Sequence, residues 1–234
     1  MRLLCGTSGY SYPAWKGHFY PEDLPPKKFL SFYASRFSTV EINNTFYRMP
    51  SAKLVQAWAD EVPDGFTFAI KAPQRITHQK RLKECEQPLE WLFAAIEILA
   101  EKQGPILFQL PPNMKKDVPR LQAFLAAMPR RCKAAFEFRH ESWLGDDTYE
   151  ALRAAEAALC IADTEDLSTP LISTANWGYL RLRREDYVES DIREWSKRIS
   201  AQNWDSAHVY FKHEDAAKGT AYASLLMSLL NKQM

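Results

Sequence analysis

The chain has 234 residues, 46% of them hydrophobic and 25% charged, with a formal net charge of +1. That composition excludes intrinsic disorder, and so small a charge removes any global field that would draw the chain onto nucleic acid or an anionic membrane. The four cysteines, Cys5, Cys85, Cys132 and Cys160, form no C-x-x-C pair, so no zinc knuckle or redox dithiol is spelled out and a reducing compartment fits.

In chain order, LLCGTSG at 3–9 reads as a first strand and runs into a loop crowded with Tyr10, Tyr12, Trp15, Phe19 and Tyr20. Phe29, Phe32, Tyr33 and Phe37 keep helical spacing, and TVEINNTF at 39–46 is a second strand. Leu54, Val55 and Trp58 follow behind a Ser51 cap, then FTFAIKA at 66–72 and a stripe of Leu89, Leu92, Phe93, Ile96 and Leu99. PILFQLP at 105–111 precedes the stripe Leu121, Phe124, Leu125 and Met128. AAFEFR at 134–139 and LCIADT at 159–164 are the fifth and sixth strands. Residues 165–178, EDLSTPLISTANWG, hold Pro170 and show no helical stripe, so this crossover is degenerate or missing. YLRLR at 179–183, the stripe Ile192, Trp195 and Ile199, the strand HVYFK at 208–212 and a last helix through Tyr222, Leu225, Leu226, Leu229 and Leu230 complete the chain.

Buried strands alternating with helices imply parallel βαβ units, and eight close most economically as one (β/α)₈ TIM-like barrel over residues 1–234. No run reaches the roughly 18 apolar residues of a membrane span, and the first residues hold too short an apolar run for a secretory signal, so the expected location is cytoplasmic with no membrane partner. The basic clusters Lys115-Lys116, Arg130-Arg131-Cys132-Lys133 and Arg183-Arg184 read as solvated surface.

Charged residues inside a barrel strand are costly unless they sit at its mouth. Here they come late in their strands: Glu41 and Asn43, Lys71, Gln109, Glu137 and Arg139, Asp163, Arg181 and Arg183, and Lys212. Late in the strand means the C-terminal face, where this fold places active sites. Period-two alternation puts Glu41 with Asn43, and Glu137 with Arg139, on one inward face. The expected set is therefore three carboxylates, Glu41, Glu137 and Asp163, among the cations Lys71, Arg139, Arg181 and Lys212. The competing expectation is an internally satisfied ion-pair network without chemistry. His78, in the loop after Lys71, is an acid/base candidate, and Trp15 and Tyr10 are candidates to stack on a ligand ring, or else simply pack their own loop.

The segments GTSGYSYPAW, FSTVEINNTFYRMP, FTFAIKAPQRITH, ILFQLPP, EFRHESW and HVYF, in this order, resemble the YecE-like family, a group of domains of unknown function. The resemblance covers nearly the whole chain and implies a TIM-barrel-like fold without an assigned activity. It implies importance for Gly6, Ser8, Gly9 and Trp15; for Glu41, Asn43, Phe46 and Tyr47; for Lys71, Thr77, His78, Gln109 and Pro111; and for Glu137, Arg139, Trp143 and Arg181. Two places depart from the family pattern: RLRRED after the seventh strand, and YFKHE at the eighth, where Lys212 and His213 stand in place of amides.

Three functions compete. The first is a hydrolase-like acid/base enzyme on a polar or anionic small molecule, phosphate or sugar, with Glu41, Glu137 and His78 catalytic and Asn43, Lys71, Gln109, Arg139, Asp163, Arg181, Trp15 and Tyr10 binding substrate. The second is a metal-assisted phosphoesterase-like hydrolase using Glu41, Glu137, Asp163 and His78 or His213. Such oxygen ligands suit Mg²⁺ or Mn²⁺ better than Zn²⁺, but no H-x-H or H-E-x-x-H spacing occurs, so no metal ligand is assigned. The third is a non-catalytic protein holding nucleic acid or a metabolite by stacking and cations; the small net charge and inward carboxylates disfavour nucleic acid. No nucleotide cofactor is expected, because GTSG lacks the further glycines of a dinucleotide fingerprint.

Overall fold

A computed structural model describes residues 1–129, 132–165, 168–212 and 215–231. Eight strands lie in it: β1 (Arg2–Thr7), β2 (Thr39–Ile42), β3 (Thr67–Lys71), β4 (Gln103–Gln109), β5 (Ala134–Glu137), β6 (Ala158–Asp163), β7 (Trp177–Leu182) and β8 (Ser206–Phe211). All paired neighbours are parallel, in the order β1-β8-β7-β6-β5-β4-β3-β2. Around them run α1 (Phe29–Ala34), α2 (Ala52–Glu61), α3 (Glu86–Ile96), α4 (Val118–Ala126), α5 (Asp146–Ala154), α6 (Glu189–Ser200) and α7 (Lys218–Asn231). The protein is a (β/α)₈ barrel, and the described part of residues 165–178 contains no helix, as the loop-rich composition predicts.

The helix stripes bury as spaced, with differences of detail. Ser51 caps α2 by accepting from Leu54 N at 3.3 Å, but Leu54 itself is 45% exposed while Val55 and Trp58 are buried. The expected stripe from Leu89 to Leu99 buries Leu89, Leu92, Ile96 and Leu99, but after Ile96 the α-helix gives way to a 3₁₀ segment, Glu97–Lys102, in which Ala100 has a positive φ of 48°. Helix α5 has no counterpart in the sequence reading: Tyr149, Ala151 and Leu152 are its buried apolar residues, too few to show as a stripe.

The barrel interior is layered. On the floor, Trp177 meets His208 edge to face, with ring centroids 6.0 Å apart. Above them Tyr179 and Tyr210 lie 5.3 Å apart, opposite the small side chains Ala69, Ala135, Ala158 and Cys160. Large residues on β7 and β8 thus fill the space that small ones on β3, β5 and β6 leave. The top layer is polar: Glu41, Gln109, Glu137 and Arg181 are all buried. Residues of the other parity, among them Val40, Ile42, Phe108, Phe136, Leu180 and Phe211, join the core beneath the helices.

One seam is unlike the rest. Between β1 and β2 there is no ladder, only a parallel bridge between Ser8 and Glu41. The Tyr33 hydroxyl from α1 occupies the gap, accepting from Thr7 N at 2.8 Å and donating to Thr39 O at 3.2 Å. A Cβ at position 6 would fall 2.2 Å from Thr39 O and 2.7 Å from that hydroxyl, so only glycine admits the wedge.

Candidate active site

Each polar side chain of the top layer is delivered by a strand end. Strand β2 stops at Ile42; Asn43 already has helical angles, φ −96° and ψ −20°, and residues 44–46 form a tight turn rather than the continued strand expected to 46. Thr45 fixes that turn, its Oγ1 donating to Ile42 O at 3.1 Å and to Lys71 O at 2.7 Å. Asn43 still meets Glu41, donating Nδ2 to Oε1 at 3.0 Å. A π-helical turn at Arg75–Gln79 carries Thr77 and His78.

Arg181 is the hub. Its Nη2 donates to Glu41 Oε1 at 2.8 Å and its Nη1 to Glu137 Oε2 at 2.6 Å, with all three side chains at most 2% exposed. Glu41 also accepts from Ser8 Oγ at 2.8 Å and, on Oε2, from Tyr179 Oη at 2.7 Å. Glu137 Oε1 accepts from Gln109 Nε2 at 2.8 Å and faces Arg139 Nε at 3.4 Å. Both carboxylates are thus hydrogen-bonded on both oxygens, the condition under which a buried ion pair is tolerated.

Burial alone would raise the Glu41 pKa, but the charge of Arg181, the Tyr179 hydroxyl and the charge of Arg183 outweigh it and bring it to about 2. Glu137 is likewise lowered, its burial overcome chiefly by Arg181. Above this pair lies a layer of cations. Arg183 reaches Ser8 Oγ at 3.4 Å, and burial followed by the charge of Arg181 lowers its pKa. Lys71 lies over the Phe46 ring with Nζ 4.2 Å from its centroid; burial and then the charge of Arg181 bring its pKa to about 8, against the opposing pull of Glu41 and Glu137. His78 meets the same Phe46 ring edge on, at 4.9 Å and 84°. Its Nδ1 pairs with Thr77 Oγ1 at 2.9 Å, and burial, then the charges of Lys71 and Arg139, lower its pKa, leaving the imidazole neutral.

This geometry sits in a chain whose residues 4–234 match the model of DUF72, a family described as a protein of unknown function. The chain belongs to the DUF72 family. A relative, UPF0759 protein YunF of Bacillus subtilis (strain 168), is 30% identical over 220 residues, which cover 85% of this chain and 76% of YunF. UPF0759 protein YecE of Escherichia coli (strain K12) is 32% identical over 112 residues, 47% of this chain; the match spans only 41% of YecE. Among solved structures, a DUF72 protein of Thermotoga maritima superposes with a TM-score of 0.89 at 27% identity, covering 99% of this chain and 100% of that one.

Of the expected site residues in this DUF72 chain, Glu41, Asn43, Lys71, His78, Gln109, Glu137, Arg139 and Arg181 converge on the mouth. Asp163 does not. It has the parity of Ile161, which faces the helices, and its Oδ2 is bound by Arg184 Nε at 3.0 Å, Tyr187 Oη at 3.0 Å and Trp195 Nε1 at 3.2 Å. The inward residues of β6 are Ala158, Cys160 and, by the same parity, Ala162, so the third carboxylate belongs to the helical layer. Trp15 is also displaced from a ligand-facing role. It is 1% exposed and packs among Tyr12, Phe19 and Tyr20, so the aromatic loop builds its own small core. Tyr10 is half-buried; its carbonyl accepts from Tyr20, and its side chain borders a small cleft with Tyr12, Asn43, Asn44 and Trp58. Lys212 lies just beyond β8, close enough to Glu165 to help lower that carboxyl's pKa. His213, like Arg130 and Arg131, lies outside the described residues.

Sequence reasoning missed the role of Tyr179, whose signal was available: it shares parity with Arg181 in β7. Ser8, a motif position of the resemblance, proves to be the residue that joins Glu41 to Arg183 across the seam.

Proposed function

We propose that the barrel mouth is the active site of an acid/base enzyme that takes a small molecule carrying an anionic group of the phosphate class. The observation that carries this reading is the charge balance. Two carboxylates, Glu41 and Glu137, are committed to Arg181, while Lys71, Arg139 and Arg183 add further positive charge, and Lys71 Nζ has no hydrogen-bond acceptor among the described residues. A partly desolvated excess of cations attracts an anion and stabilises negative charge that develops on it.

Proton transfer then falls to His78, whose lowered pKa favours the neutral, basic imidazole, and to Lys71, whose pKa is brought down to about 8. Glu41 and Glu137, held ionised, act as positioning residues for Arg181. The metal-assisted reading has less support: among the described residues no three His, Cys, Asp or Glu side chains are grouped to hold an ion. The nucleic-acid reading loses its stacking loop, because Trp15 and Tyr20 are internal.

Titration with inorganic phosphate, followed by calorimetry, tests the proposal. Binding should weaken as salt is raised, and Arg183→Met should lower affinity about tenfold, the equivalent of ~1.4 kcal/mol. Equal affinity in wild type and Arg183→Met, or no binding at low salt, would refute it.

A further inference from the structure

We infer that Lys71 is an amine nucleophile that condenses with an aldehyde or ketone carbonyl of an anionic substrate to form an imine. The inference rests on the anionic-substrate reading above and goes beyond it by naming the reactive group of the substrate and the covalent step.

The geometry differs from that of an ordinary anion-binding lysine. Strand β3 ends at Lys71, and its carbonyl is pinned by Thr45, so the side chain leaves a fixed point of the barrel. Nζ rests over the Phe46 ring at 4.2 Å instead of pairing with a carboxylate, although Glu41 and Glu137 are near enough to pull on its charge. Arg181 takes one oxygen of each of those carboxylates, sharing Glu41 Oε1 with Ser8, while Tyr179 and Gln109 occupy the other two. Lost water and the neighbouring guanidinium groups of Arg181 and Arg183 favour the uncharged amine, and hence nucleophilic attack, more strongly than the Phe46 ring face favours the ammonium. The depressed pKa of about 8 agrees with this arrangement.

His78 completes the assembly. It packs on the same Phe46 ring, with Nδ1 engaged by Thr77 and Nε2 without a partner among the described residues. The step balances without any redox partner. The Nζ lone pair attacks the carbonyl carbon, the C=O π pair moves to oxygen, and a proton shifts from nitrogen to that oxygen to give a carbinolamine. Neutral His78 then takes the remaining nitrogen proton on Nε2 and returns it to the hydroxyl, which leaves as one water as the C=N bond forms. Arg139 and Arg183 remain available for the substrate's anionic group.

The test uses the whole protein with pyridoxal 5′-phosphate, a phosphorylated aldehyde, as probe, followed by borohydride reduction and mass-spectrometric mapping of the fixed adduct. Lys71 should be labelled about tenfold faster near neutral pH than the exposed Lys27 and Lys53, because a larger fraction of its amine is uncharged. Its labelling should accelerate through pH about 8 and be slowed by inorganic phosphate. Lys71→Arg should lose the label while remaining folded by circular dichroism. Adducts on surface lysines with Lys71 unmodified, or Lys71 labelled no faster than Lys53, would overturn the inference. If either happens while phosphate still binds, the anion-binding reading survives alone; if phosphate fails to bind while Lys71 is labelled, that reading fails and the nucleophile stands.

Discussion

The mouth and the floor of the same barrel solve the burial problem in opposite ways. At the floor, Trp177 and His208 form a neutral aromatic layer, with the imidazole stripped of its proton by burial, ahead of the charges of Lys133 and Arg2, and its pKa brought to about 3. At the mouth, full charges are kept and paired through Arg181. Neutralisation is the simpler way to bury an ionisable group. A layer that keeps its charges needs another reason to exist, and the excess of cations above it supplies one.

The sharpest way to break this contrast is Arg181→Met. Two buried carboxylates lose their common partner, and stability should fall by about 3–5 kcal/mol in urea denaturation, together with phosphate affinity. Leu107→Ala in the lower interior is the control: it should cost a similar ~2–5 kcal/mol and leave phosphate affinity unchanged in the remaining folded protein. If both variants weaken phosphate binding alike, mouth and floor are not separable as drawn.

Acid should separate the layers next. A depressed folded pKa means that the unfolded chain takes up the proton first, so the contribution of His208 is whole above its ordinary 6.5 and is lost as pH falls toward about 3. Glu41, lowered from 4.5 to about 2, contributes a loss of the same sign in a lower window. Urea midpoints should therefore decline in two stages on acidification, and His208→Gln should remove the first stage. A wild-type midpoint that stays flat from about pH 7 to about pH 5 would contradict the account of the floor.

The smallest effect belongs to Arg139, whose side chain is 43% exposed and only 3.4 Å from Glu137 Oε1. Arg139→Gln should move stability by no more than about 0.5 kcal/mol and weaken phosphate by about threefold, in line with an exposed charge. A large loss of stability would place Arg139 inside the structural network instead of at its rim.

Much of this was legible before the structure, because period-two alternation is rigid: Glu41 and Glu137 had to share a face with whatever filled the barrel. Lateness alone misassigned Asp163, which stands late in its strand but on the parity of Ile161, outside. Lateness locates a residue along the barrel axis, and parity decides between interior and helix layer; both must be read. Trp15 was illegible for a different reason, since composition cannot tell a loop that stacks on a ligand from one that stacks on itself. Helix α5 escaped because its short apolar face is interrupted by charged and small residues.

The Tyr33 wedge gives the barrel an unusual dependency. Elsewhere neighbouring strands hold each other through their own peptides, but here the ring is fastened by a phenol borrowed from the first helix. Ser8 and Glu41 face each other across that fastening, so α1 sits beside the join between the hydroxyl that reaches Arg183 and the carboxylate that holds Arg181. The outer shell of the protein thus shares in holding the charged mouth together, through a phenol oxygen set beside the direct contact of Ser8 with Glu41.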